Sequence, residues 1–269
     1  MSDEKQVSVI EMMDKSGFSA SYLASLKEIA EIEDAEERAQ AWYKTAVAEG
    51  DDEALVILGA MYRSGDEIQQ DLAMSFQCFL DAAMLGNVLA MNTIGTNYIE
   101  GTGVAQNVEK SAAWYKKAAE LGDPTGMCNL SLCYENGDGV PLDEAEARKW
   151  RRRAADLGDG PAMCRMGEME WEAGHLRKAV NWFRKAAIAG DPEAMNWLGS
   201  ACLTGEGVKK NPKTAFSWFT KSAEGGSVNG MYSLSMCYDE GYGTPPNPAL
   251  ADMWYERAEE LDPYEEEDD

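Results

Sequence analysis

Six glycines divide the chain at nearly equal steps. Gly50, Gly86, Gly122, Gly158, Gly190 and Gly226 stand 36, 36, 36, 32 and 36 residues apart. A period of that length overrides the one or two globular domains that 269 residues alone would suggest. It marks an array of small supersecondary units stacked in a line. Each unit buries its apolar face only against its neighbours, so the ends of such an array need caps.

The residues around each glycine give the unit its content. After the six glycines come Asp51, Asn87, Asp123, Asp159, Asp191 and Ser227. Each has a short side-chain oxygen that can accept an orphan N–H of a first helical turn. A glycine just before such a residue suits the left-handed end of the preceding helix. Pro124 and Pro192 then fall where a missing N–H costs little. A second cap site follows at Asp71, Asn107, Asp143, His175, Asn211 and Asn247. Each unit is therefore two helices, A and B. The turn between them reads Gly-x-Gly-Val at Gly101–Val104, Gly137–Val140 and Gly205–Val208, with the valine expected to plug the turn onto the core.

The apolar positions fit helical faces. In helix A, Leu58-Gly59, Ile94-Gly95, Met166-Gly167 and Leu198-Gly199 share one place, with Leu130-Ser131 and Leu234-Ser235 as variants. The small residue is expected to let helix B come close. Tyr62, Tyr98, Tyr134 and Tyr238 follow four positions after the leucine place. In helix B, Trp114, Trp150, Trp182, Trp218 and Trp254 share a place, and the first three are followed four and five residues on by Ala118-Ala119, Ala154-Ala155 and Ala186-Ala187. These spacings put the residues on one helical face.

These motifs resemble the Sel-one-like repeat (SLR) family, a relative of the tetratricopeptide (TPR) repeat, over about Asp51 to Leu261. Ala90 to Gly122 matches the family pattern nearly throughout. The resemblance implies an all-α fold, a right-handed α/α superhelix (solenoid) of stacked helix pairs. It also implies a scaffold, adaptor or chaperone-like binder. The repeats run 51–86, 87–122, 123–158, 159–190, 191–226 and 227–261. Residues 1–50 are expected to form N-terminal capping helices with a degenerate repeat, in which Ser19 or Ser21 caps a helix. Residues 262–269 form an acidic tail, expected to be disordered. The start of the chain lacks the pattern of a secretory signal. The apolar stretch Ala54 to Tyr62 is too short to span a bilayer.

The charge of −24, from 48 acids against 24 bases, opposes nucleic-acid binding, because phosphate is repelled. It equally opposes anionic membrane surfaces, and no membrane insertion is expected. An acidic surface can keep a long array soluble or steer a basic partner. The cluster Arg148, Lys149 and Arg151 to Arg153 reads as a solvated helix face. Six cysteines sit at apolar repeat places: Cys78, Cys128, Cys133, Cys164, Cys202 and Cys237. No repeat pairs a helix A cysteine with a helix B cysteine, as secreted cysteine-rich relatives do. No disulfides are expected, and free thiols used as small apolar residues point to a reducing cytoplasm.

No catalytic constellation stands out, and the chain reads as a non-enzyme with no cofactor and no metal site. His175 is the one histidine and stands at a cap site. The Gly-x-Gly turns follow helices, so they are not dinucleotide fingerprints. Ser2-x-x-Lys5 matches a penicillin-binding nucleophile motif without partner motifs. Some secreted relatives are linked to β-lactam binding or hydrolysis, but no residue here carries that over. A hydrolase is therefore the alternative from another class, and an acidic chaperone-like binder of a basic client is the alternative within binding.

The resemblance places ligand contacts on the concave side, lined by helix A. Places two before, two after and five after the leucine hold Asn92, Thr96 and Ile99; Cys128, Leu132 and Glu135; and Cys164, Glu168 and Trp171. They continue as Asn196, Ser200 and Leu203, then Tyr232, Met236 and Asp239. Asn92, Thr96, Glu135, Glu168, Trp171, Asn196, Ser200, Tyr232 and Met236 are the expected peptide-binding residues. The asparagines would meet a peptide backbone, and Trp171, Tyr232 and Met236 would offer apolar contact.

Overall fold

The computed structural model describes residues 19–261. The apolar run at Val7 to Met13 and the acidic tail at 262–269 lie outside the described residues. Among the described residues there are fourteen helices and no strand. The chain divides into two compact units, Met1–Glu144 and Ala145–Asp269. The first holds α1 (Ala20–Ala30), α2 (Ala35–Glu49), α3 (Asp52–Ser64), α4 (Leu72–Met84), α5 (Val88–Glu100), α6 (Val108–Glu120) and α7 (Pro124–Asn136). Helix α8 (Glu144–Asp156) starts at the boundary. It is followed in the second unit by α9 (Gly160–Glu172), α10 (Leu176–Ile188), α11 (Pro192–Thr204), α12 (Pro212–Glu224), α13 (Val228–Glu240) and α14 (Pro248–Glu259). From α3 onward the odd-numbered helices are the A helices and the even-numbered are the B helices.

The junctions between repeats form as their residues dictate. All six cap residues accept a backbone N–H at the third helical position, as Asp51 does from Ala54 and Ser227 from Gly230. At the end of α4, Gly86 N–H reaches Ala83 C=O and Asn87 N–H reaches Ala82 C=O, with Gly86 at φ 103°. That is the Schellman closure, and it needs a residue that tolerates positive φ. Ser19 caps α1 through the N–H of Tyr22. The turn within a repeat closes by one recurring bond, from the second cap N–H to the carbonyl of the tyrosine place. It joins Asp71 to Tyr62, Asn107 to Tyr98 and Asn247 to Tyr238 at 2.7–2.9 Å. In the short repeat the same carbonyl place, now Glu170, accepts from His175 at 2.8 Å. Four turn residues are lost without losing the closure.

Two close approaches lock the layers. A Cβ on Gly199 would stand 2.5 Å from Phe219 Cδ1, so the small residue does let the B helix seat its ring on the A helix. Gly59, Gly95 and Gly167 meet Phe79, Tyr115 and Phe183 in the same way. The second glycine of the turn packs against the preceding repeat. A Cβ on Gly103 would collide with the Leu72 carbonyl at the start of α4. Edge-on ring pairs add to these seams: Phe76 with Tyr98 at 5.3 Å and Phe216 with Tyr238 at 5.4 Å. Val104 and Val208 pack against the cores, as their place in the turn requires.

From Trp114 onward, each helix B tryptophan carries a cation three residues on. Lys117 lies 3.7 Å from the Trp114 ring centroid, Arg153 4.6 Å from Trp150, Lys185 4.4 Å from Trp182 and Lys221 4.7 Å from Trp218. Such pairs are worth about 0.5–1 kcal/mol when exposed. The basic cluster on α8 departs from the expected solvated face at one residue. Arg148, Lys149, Arg152 and Arg153 are exposed, but Arg151 is buried, with Nη1 3.7 Å from Met169 Sδ. The reason is register: Arg151 occupies the place that Tyr115 and Phe183 fill with rings.

Candidate binding face

The sequence-predicted residues fall on the A helices of both units, and the two units treat them differently. In the first, Asn92 on α5 is buried, and its Nδ2 donates to Asp123 Oδ2 at 2.7 Å. Asp123 also caps α7 through Gly126 N–H at 2.6 Å, so Asn92 fastens one repeat to the next. Its Oδ1 is buried without a hydrogen-bond partner. The half-buried Thr96 donates to Asn92 C=O at 3.2 Å and lies 3.0 Å from the Tyr115 hydroxyl. Glu135 on α7 is half-buried. Asn92 and Thr96 thus have internal duties.

In the second unit the same face is richer in aromatic surface. Trp171, at the end of α9, lies 5.6 Å from Trp197 of α11 and 6.2 Å from Phe183 of α10. Phe183 and Trp197 stack at 5.3 Å with 3° between their planes. The order of contacts has a local cause. Gly167 lets Phe183 seat deeply against α9, and Trp171, four residues on along the same helix, lies beside that ring. Glu168 ties the cluster together, accepting from Trp197 Nε1 at 3.2 Å and from Arg165 at 2.9 Å. Both tryptophans remain partly accessible.

Asn196 and Ser200 follow on α11, both half-buried, and the Asn196 Oδ1 has no partner. On α13, Tyr232 packs edge-on to Tyr255 at 5.4 Å, and Met236 is exposed. Glu168 and Trp171 are therefore brought into one cluster. Sequence reasoning missed its other members, Arg165 and Trp197. A signal existed: of eight tryptophans, only Trp171 and Trp197 fall outside the helix B place.

The cysteine thiols are held in their neutral form. None of the six cysteines is in a disulfide. Burial pushes Cys133 and Cys237 up to about 11 and Cys78 to about 12. For Cys164, burial and then the charges of Asp191 and Glu168 raise the thiol further. Thiols held neutral in this way are poor nucleophiles. Of the turn or capping role expected of it, His175 fills the turn: its N–H closes the turn onto Glu170 C=O at the start of α10, while its side chain makes no cap. Its Nδ1 turns instead to Glu170 Oε2 at 2.8 Å. Among the described residues no cluster of His, Cys, Asp or Glu could hold a metal ion, and no helix is long and apolar enough to cross a membrane.

A family model for the Sel1 repeat matches residues 32–51, 52–87, 88–123, 124–159, 160–191, 192–227 and 228–263. Among solved structures, the chain is similar to a Sel1 repeat protein from Oxalobacter formigenes. Identity is 27%, with a TM-score of 0.74, covering 85% of this chain and 98% of that one. It is also similar to c5321, a protective antigen of uropathogenic Escherichia coli strains with an SLR fold, at 29% identity and a TM-score of 0.68. That match covers 83% of this chain and 49% of the antigen, so the chain spans about half the antigen's length. The immunity protein Pa5087 of Pseudomonas aeruginosa shares the fold alone, at 19% identity and a TM-score of 0.55 over 86% of this chain and 84% of that one. No curated protein sequence matches the chain.

Proposed function

The chain belongs to the Sel1 repeat family, whose members are generally non-catalytic protein-interaction scaffolds, and we propose that this member holds a peptide or protein segment on its A-helix face. The observation that carries this reading is the partly open Trp171–Trp197 pair flanked by Glu168. Interface hot spots are enriched in tryptophan, tyrosine and arginine, and these residues supply all three along α9, α11 and α13 through Tyr232 and Arg165. The half-buried Ser200 adds a polar group for a peptide backbone. The raised thiols oppose a cysteine nucleophile. Six cysteines at apolar places, none in a disulfide, support a reducing, cytoplasmic setting.

A second reading is a basic client held by the first unit. The charge is uneven: residues 1–144 carry 26 of the 48 acids but only 9 of the 24 bases. Affinity capture from the native cell with wild type and a Trp171→Ala/Trp197→Ala variant tests the main reading. A partner held by wild type and weakened at least tenfold by the variant supports it. A partner held equally by both, and released only by salt, favours the acidic one.

A further inference from the structure

The repeat at 51–86 breaks the turn rule, and a cleft opens where it does. In the best-matching repeat Gly103 seats against the carbonyl of Leu72, the first residue of the preceding B helix. One repeat earlier the corresponding residue is Glu67, which has no such freedom to seat on α2. The turn is held instead by Gln69 N–H donating to Glu36 Oε1 at 2.6 Å. Between α2, this turn and the start of α4 lies a cleft of about 430 Å³. That falls within the roughly 300–1,000 Å³ of small-ligand sites.

The lining is built for a positive group. Tyr62 lines the cleft, is 96% buried, and its hydroxyl has no hydrogen-bond partner among the described residues. Burial first, then the charges of Cys78, Glu36 and Asp71, pushes that hydroxyl up, so the phenol stays neutral and both carboxylates act on it. Glu36 and Asp71 line the same cleft, each with one oxygen already bonded to backbone N–H. Met74 and the Tyr43 ring give apolar wall, and the exposed Lys44 is the one cation among the lining residues.

We propose that this cleft binds a guanidinium or primary ammonium group on an alkyl chain, with the head between Glu36 and Asp71 and a hydrogen bond to the Tyr62 hydroxyl. The chemistry is that of an arginine or lysine side chain, and free polyamines share it. The site lies in the first unit and does not depend on the tryptophan face of the second, so binding here survives Trp171→Ala/Trp197→Ala.

Calorimetry on the full chain at low salt tests it with four probes: acetyl-Ala-Arg-Ala-amide, the lysine and citrulline versions, and spermidine. We expect the cationic peptides to bind at least tenfold tighter than the citrulline peptide. Tyr62→Phe and Glu36→Gln each weaken them fivefold or more; both keep the fold, since the hydroxyl is unpartnered and glutamine still accepts from Gln69. Lys44→Ala tightens binding. Peptides that bind while spermidine does not support a protein side chain as the occupant, and binding of both supports the cation site itself. Equal binding of the citrulline peptide, no binding of any cation, or weaker binding in Lys44→Ala overturns the proposal.

Discussion

Trp171 and Trp197, the two tryptophans outside the helix B register, lie with ring centroids 5.6 Å apart. Phe183 completes a three-ring group, and Glu168 anchors the Trp197 indole. The remaining six tryptophans serve the repeat; these two lie on consecutive A helices, α9 and α11. Ring pairs of this kind contribute about 0.5–1.5 kcal/mol beyond area burial. A double-mutant cycle with Trp171→Ala and Trp197→Ala is expected to return a coupling of that size by urea unfolding. A coupling near zero means that the rings touch without supporting one another.

Asn92 is expected to act on stability and leave binding alone. Its Nδ2 reaches the Asp123 carboxylate, which also caps α7. A hydrogen bond to a charged acceptor contributes about 1.5–3 kcal/mol, and losing the unpartnered Oδ1 offsets part of that. Asn92→Ala is expected to cost about 1–2 kcal/mol with partner affinity unchanged. An affinity loss with normal stability would return Asn92 to the contact surface.

The A-to-B seams are intolerant of a single methyl group. Gly199→Ala brings a Cβ to 2.5 Å from Phe219 Cδ1, and the ring is fully enclosed. Overpacking of this kind costs about 1–3 kcal/mol. Thermal unfolding of Gly199→Ala beside Ser200→Ala checks it, since the neighbouring half-buried serine sits in no such seam. Equal midpoints would mean that the seam can open without cost.

Much of this was legible because it is local. Helix pairs, caps and the glycine turn follow from residues within a few positions of one another, and the six first-cap side chains all accept their N–H groups. What the sequence hid lies between repeats. The Asn92–Asp123 bond spans 31 residues, and the Glu168–Trp197 bond spans 29. Such contacts depend on how two A helices are superposed, which periodicity does not specify. Arg151 misled for a related reason: in a run of basic residues its charge outweighed its register, yet register decides burial. His175 keeps its place in the turn, but its ring pairs with Glu170 instead of capping α10, a contact across the shortened turn.

The buried thiols give stability a pH dependence of known sign. Their folded values lie above the ordinary 9.0, with Cys133 and Cys237 near 11 and Cys78 near 12. Above pH 9 the unfolded chain therefore binds fewer protons than the folded one, and stability falls as pH rises. The contribution is whole below about pH 9 and is lost progressively through pH 11–12. Urea midpoints are expected to drop from pH 8 to pH 10.5, less steeply in Cys133→Ala. A flat profile would mean that the thiols titrate normally in the fold.

Site-specific photocrosslinking puts the A-helix face to the most direct test. A benzoylphenylalanine at Ser200, half-buried on α11, is compared in the native cell with one at Ser217, exposed on the B helix α12. A discrete crosslinked protein at position 200, absent at 217 and lost when Trp171→Ala/Trp197→Ala is added, is the expected result. Crosslinking at 217 with none at 200, or crosslinking at 200 that is indifferent to the tryptophans, would contradict capture on this face.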